Sequence, residues 1–193
     1  MRLLKRGILF FWAAWFSVVV ATNVLDALRA LSVLPMSFVF VSGNWAWINR
    51  IMDPLAVPRW LQATLFLGAI SWEALGALLY WSALARYRGR PLAQEPAALR
   101  ACVVSLALWG AFQVLDEVFL AFHTEDVHRS LFVSQIATIL LLQLLPATPV
   151  DGDGDDDDAL RPRPDAPEGR LIIPRWTSPG AAREDPRPSG RDS

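Results

Sequence analysis

Four apolar stretches, each close to the length at which a helix crosses a lipid bilayer, constrain this chain more than any motif it carries. They cover about residues 7–28, 60–84, 101–122 and 127–145. At about 1.5 Å per residue, some 20 residues match a hydrocarbon core about 30 Å thick, where only helices or closed barrels satisfy every backbone amide. The sequence therefore predicts an all-α fold, a four-helix transmembrane bundle within residues 1–150. The 53% hydrophobic content and mean hydropathy of +0.31 are high for a soluble domain of 193 residues and agree with that class.

The first stretch has a competing reading as a cleavable signal peptide. Arg2, Lys5 and Arg6 resemble its basic leader, and Val19, Val20 and Ala21 resemble a cleavage site. The run is longer and richer in Trp and Phe than a usual signal core, which favours a retained span. The fourth stretch is the shortest, yet SLFVSQIATILLLQLL is too long for a strand and Pro146 stops it.

Positive charge in the short connections orients the bundle. Arg2, Lys5 and Arg6 precede the first span, and Arg86, Arg88, Arg90 and Arg100 lie between the second and third. Both clusters are expected inside. The link at 123–129 is mostly acidic and is expected outside, which places the N- and C-termini in the cytoplasm and the protein in the cell membrane as a multi-pass chain. Partners are then membrane lipids, with a homo-oligomer or a larger membrane complex as the further expectation.

The long outer connection, about residues 32–57, holds FVFV, a Ser42-Gly43-Asn44 turn and WAWINRIM. Asn44 is expected to cap a short helix ended by Asp53-Pro54, with Trp45, Ile48 and Met52 on one face. This predicts an amphipathic segment in the outer interface, serving as an anchor or as a cover over a site.

Residues 151–193 are unlike the rest. They hold 7 Arg against 11 acids and 7 of the 14 prolines, whereas residues 1–150 hold 11 basic against 8 acidic side chains. Such a stretch cannot bury enough surface to offset chain entropy, and a disordered acidic tail is expected. The DGDGDDDD run lacks the Gly and Glu that an EF-hand loop needs at 156 and 162, where Asp156 and Pro162 stand. Neither part has the basic excess that nucleic-acid binding requires. The single cysteine, Cys102, excludes an intrachain disulfide and reads as a small apolar side chain.

The informative residues are the polar ones inside the apolar runs. A charge at the centre of a membrane helix costs roughly 2.5 to 3.5 kcal/mol on insertion scales, so such groups face the bundle or a wet cavity. Glu73 falls near the middle of the second span, on one face with Gln62 and Gly76. On the third span Gln113, Asp116 and Glu117 follow an i, i+3, i+4 pattern, with His123 seven residues after Asp116. On the first, Asn23 and Asp26 form an i, i+3 pair that Arg29 can join. On the fourth, His128 and Gln135 share a face. Because alternate spans run in opposite directions, these nine candidates, Asn23, Asp26, Glu73, Gln113, Asp116, Glu117, His123, His128 and Gln135, can converge on one polar site. Amides commonly act as packing glue between membrane helices, whereas carboxylates in a low dielectric must protonate, pair or bind a cation.

The two histidines sit near a turn, and the Glu-x-x-His pairs of di-iron bundles are absent, so no metal site is assigned. No catalytic signature or cofactor motif stands out. Three functional classes remain. One is an acidic intramembrane site for a proton, cation or small polar ligand. Another is an accessory subunit of a membrane complex, and the third an enzyme on a quinone or lipid with Asp116, Glu117 and His123 moving protons.

Overall fold

The computed structural model describes residues 1–146; the stretch at 151–193 expected to be disordered lies outside the described residues. Five helices follow one another: α1 (Arg2–Ala30), α2 (Asn44–Met52), α3 (Arg59–Arg86), α4 (Pro96–Val118) and α5 (Phe122–Leu144). A single 3-10 turn, Leu92–Gln94, joins α3 to α4, and no strand occurs among the described residues. Helices α1, α3, α4 and α5 are long and apolar enough to cross a membrane. The fold is a four-helix transmembrane bundle with a short fifth helix at one end.

Helix α3 packs against α1 and α4, α5 packs against α4, and α2 touches α1 and α3. The distribution of polarity is that of a protein dissolved in lipid. Leu78, Val103, Val114 and Val133 are exposed, while Asn23, Asp26, Gln62, Glu73, Ser105, Asp116 and Gln135 are buried. In water that arrangement would leave a large apolar surface without a partner; in a bilayer, polar side chains hold the helices together and apolar ones meet acyl chains.

The buried face repeats every seven residues on all four spanning helices, the spacing that returns a side chain to nearly the same face two turns on. One layer holds Asn23, Glu73, Asp116 and His128. Seven residues further from the α2 end stand Phe16, Tyr80, Trp109 and Gln135, and seven further again Leu9, Cys102 and Leu142 on α1, α4 and α5, with Tyr87 just past the end of α3. All but His128, which is half-buried, are buried. In the middle layer the Phe16 ring stacks between Tyr80 at 5.8 Å and Trp109 at 5.6 Å, with interplanar angles of 18° and 21°. Gly76 lets this happen: a Cβ there would stand 3.3 Å from the Phe16 ring.

Two local expectations are corrected. The link at 123–129 is helical, because α4 ends at Val118 and α5 begins at Phe122. The turn is residues 119–121, with Leu120 at φ 55°, and no glycine marks it. The acidic stretch suits a helix start: Glu125 lies in the first turn of α5, where the helix dipole favours negative charge, and pairs with Arg129 one turn on.

Asn44, expected as a cap, is instead the first residue of α2, and Gly43 at φ 76° precedes it. The leading amides of α2 are satisfied from elsewhere, the Asn44 N–H donating to Ser42 Oγ (3.2 Å) and the Trp45 N–H to Asp26 Oδ2 (2.8 Å). A carboxylate on α1 thus caps α2.

Candidate functional site

Glu73 reaches the interior because α3 presents Gln62, Phe66, Ile70, Glu73 and Gly76 on one buried face. Glu73 lines a cavity of about 120 Å³ at the α2 end of the bundle. All five helices contribute to the wall: Asn23 from α1, Asn44, Trp47, Ile48 and Met52 from α2, Phe66 and Glu73 from α3, Phe112 and Asp116 from α4, and His128 from α5. The short helix anticipated in the outer interface therefore forms part of the cavity wall.

Hydrogen bonds tie three helices together along one edge. Asn44 Nδ2 donates to Asn23 Oδ1 at 2.8 Å, and Asn23 Nδ2 donates to Glu73 Oε2 at 2.7 Å. That is the only hydrogen bond Glu73 makes through its side chain among the described residues, and no cationic side chain there pairs with it.

Asp116 is held differently. Its Oδ2 lies 2.5 Å from His128 Nδ1, and its Oδ1 accepts from Thr124 Oγ1 at 3.2 Å. The His128 ring rests against Phe112, with centroids 4.9 Å apart. The α4–α5 turn makes this pairing possible by bringing the start of α5 back beside the end of α4.

Asp26 is buried but does not line the cavity. Besides capping α2, it pairs with Arg29 at 3.0 Å and accepts from Ser42 Oγ at 3.3 Å. Its acceptor capacity is committed to holding α2 on α1. Gln62 acts likewise at the other end of α2, donating through Nε2 to Asp53 Oδ1 and to the Val57 carbonyl, both at 2.9 Å.

The other candidates stand elsewhere. Gln113 donates to the Trp109 carbonyl of its own helix at 3.3 Å. Glu117 is exposed, one residue and so about 100° around the helix from Asp116. His123 is also exposed: the seven-residue spacing from Asp116 has no meaning once α4 stops at Val118. Gln135 belongs to the next layer, where its Nε2 donates to the Tyr80 hydroxyl at 2.6 Å and that hydroxyl meets Ser105 Oγ at 2.9 Å.

Asn44, Thr124 and the Tyr80–Ser105 pair are not among the candidate site residues that the sequence offers. Asn44 looked like a cap because its tertiary partner is 21 residues away, and a single Ser or Tyr in an apolar helix carries no signal until its neighbour is known. Among the described residues, no group of three or more His, Cys, Asp and Glu side chains could hold a metal ion. The fold and this cavity define a four-span helical membrane protein with a cavity at one end, where Asn23, Asn44, Glu73, Asp116 and His128 stand among mostly apolar side chains. Comparisons with protein-family models, with curated proteins and with solved structures gave no match.

Proposed function

We propose that this is a multi-pass protein of the cell membrane with both termini cytoplasmic, whose α2-end cavity faces outside and takes up a proton or a small cation at Glu73. The orientation rests on Arg2, Lys5, Arg6, Arg86, Arg88, Arg90 and Arg100, which all belong to the end of the bundle opposite α2. The observation that carries the reading is the contrast between the acids. Asp26 has Arg29 and Asp116 has His128, whereas Glu73 faces the cavity with one amide partner. A carboxylate removed from bulk water and given no cation by its own protein takes a proton or a cation from outside.

Size narrows the ligand. The cavity, at about 120 Å³, has room for several waters. Metabolite pockets commonly run from roughly 300 to 1,000 Å³, so a quinone or lipid substrate finds less support than a proton with its waters or a small cation. The enzyme reading is further weakened because Glu117 and His123 do not line the cavity. The Phe16–Tyr80–Trp109 stack underlies the polar layer, which favours a binding or sensing site over a conducting path. An accessory subunit with outward polar faces is less supported, since the intramembrane polar side chains are mostly buried.

The test is the thermal stability of the purified chain in detergent across pH and with added Na⁺, K⁺, Mg²⁺ or Ca²⁺. A ligand that binds only the folded state stabilises it in proportion to the logarithm of its concentration. Glu73→Gln should keep the fold and reduce the dependence on pH, or remove the dependence on one of these ions. The same dependence in wild type and Glu73→Gln would exclude Glu73 as the binding group.

A further inference from the structure

The opposite end of the bundle carries a second cavity, of about 680 Å³, that the proposed function does not use. Six arginines line it: Arg2 and Arg6 from the start of α1, Arg86 from the end of α3, Arg88 and Arg90 from the connection, and Arg100 from the first turns of α4. None of the six is ion-paired with an acid among the described residues. Between Arg2 and Arg6, Lys5 is fully buried with its ammonium lacking a hydrogen-bond partner among the described residues.

One carboxylate stands in this wall, and it is already engaged. Glu95 is buried, and its Oε1 accepts the backbone N–H groups of Arg88 (2.9 Å) and Arg90 (3.0 Å). This contact folds the connection so that its arginines flank those of α1 and α4. The start of α4, with Pro96 and Ala97 in the wall, adds the positive end of a helix dipole. A topology signal requires only that basic residues be present in a short loop; it does not require four segments, the start of α1, the end of α3, the connection and the start of α4, to gather them around a concavity.

We propose that this cavity is a site for the headgroup of an anionic membrane lipid carrying two phosphates. Arginine forks match phosphate oxygens through paired N–H donors, and basic pockets at the ends of membrane helices are suited to such headgroups. Six guanidiniums and one engaged carboxylate exceed the charge of a single phosphodiester, which selects a headgroup with more than one phosphate. The exposed side chains of Leu3 and Leu4 on the same turns of α1 provide apolar surface for acyl chains. The site lies at the other end of the bundle from Glu73, so the two proposals stand or fall separately.

The test uses the full chain in mild detergent, with binding read by native mass spectrometry and by thermal stability. The probes are cardiolipin, phosphatidylglycerol, phosphatidylcholine and inorganic pyrophosphate. Cardiolipin should bind most tightly and phosphatidylcholine show no saturable effect. The double substitution Arg86→Gln with Arg100→Gln should weaken cardiolipin binding by roughly tenfold or more, as expected for losing charge-assisted hydrogen bonds. The pair Arg86→Lys with Arg100→Lys keeps the charge and thus the topology signal, and should lose several-fold less than the Gln pair. If the Gln pair does not fold, the Lys pair alone decides: cardiolipin affinity below wild type supports the site, and unchanged affinity overturns it. Equal binding of cardiolipin and phosphatidylcholine would also overturn it. Pyrophosphate that binds as tightly as cardiolipin and displaces it would replace the lipid with a soluble phosphate compound.

Discussion

Asp26 and Glu73 are both buried acids, yet they do different work because of what surrounds them. Asp26 accepts from the Arg29 guanidinium, the Ser42 hydroxyl and the Trp45 amide, so removing it frees a helix start and a guanidinium at once. Asp26→Ala should lower stability by about 2 kcal/mol, and Asp26→Asn by less because one acceptor remains, measured by reversible unfolding in mixed micelles. The Asp26–Arg29 pair was legible from i, i+3 spacing. The capping of α2 was not, since it joins residues 19 apart across a loop whose path the sequence does not specify. At the other end of the bundle, burial and then the charge of Glu95 push the Tyr87 phenol up to about 12. The folded chain therefore holds that proton at a pH where the unfolded chain, near pH 10, has begun to release it. Stability should fall between about pH 10 and pH 12, and Tyr87→Phe should reduce that fall in a denaturation series.

Helix existence was readable from the length and apolarity of the runs, and helix ends were not. Leu120 adopts a left-handed conformation that glycine usually marks, and the acidic residues after it looked like a surface loop although they form the first turns of α5. Those ends matter, because the early start of α5 is what carries His128 to Asp116. Packing of α1 on α3 depends on Gly76. Added methyls should act oppositely at two glycines of α3: Gly68 has nothing within 4 Å, whereas Gly76 faces a Phe16 ring already stacked on both sides. Gly68→Ala should be neutral or stabilising by up to about 1 kcal/mol, from helix propensity alone. Gly76→Ala should be destabilising by about 1 kcal/mol or more, because Phe16 has no room to yield. Unfolding of the two variants side by side checks the contrast.

Across the whole molecule, the seven-residue layering arranges the polar side chains by depth. Within one layer α1, α3, α4 and α5 place Asn23, Glu73, Asp116 and His128, and the layer beneath takes Gln135 to Tyr80. Sequence periodicity showed that His128 and Gln135 share a face, but depth emerged only with the register between helices. The orientation of the bundle can be checked by reporter fusions: sites after Arg6 and near Arg90 should read as cytoplasmic and a site near Asn49 as external, and a cytoplasmic signal near Asn49 would invert the assignment. The central claim, that Glu73 is the ligand-taking group of the α2-end cavity, is tested most directly by infrared difference spectra of the reconstituted chain as pH or the concentration of the active cation is changed. Wild-type protein should show a carboxyl stretching band that responds to the change, and Glu73→Gln should lose that band while keeping the amide bands of the folded bundle. A responding band of the same position and intensity in Glu73→Gln would contradict the claim.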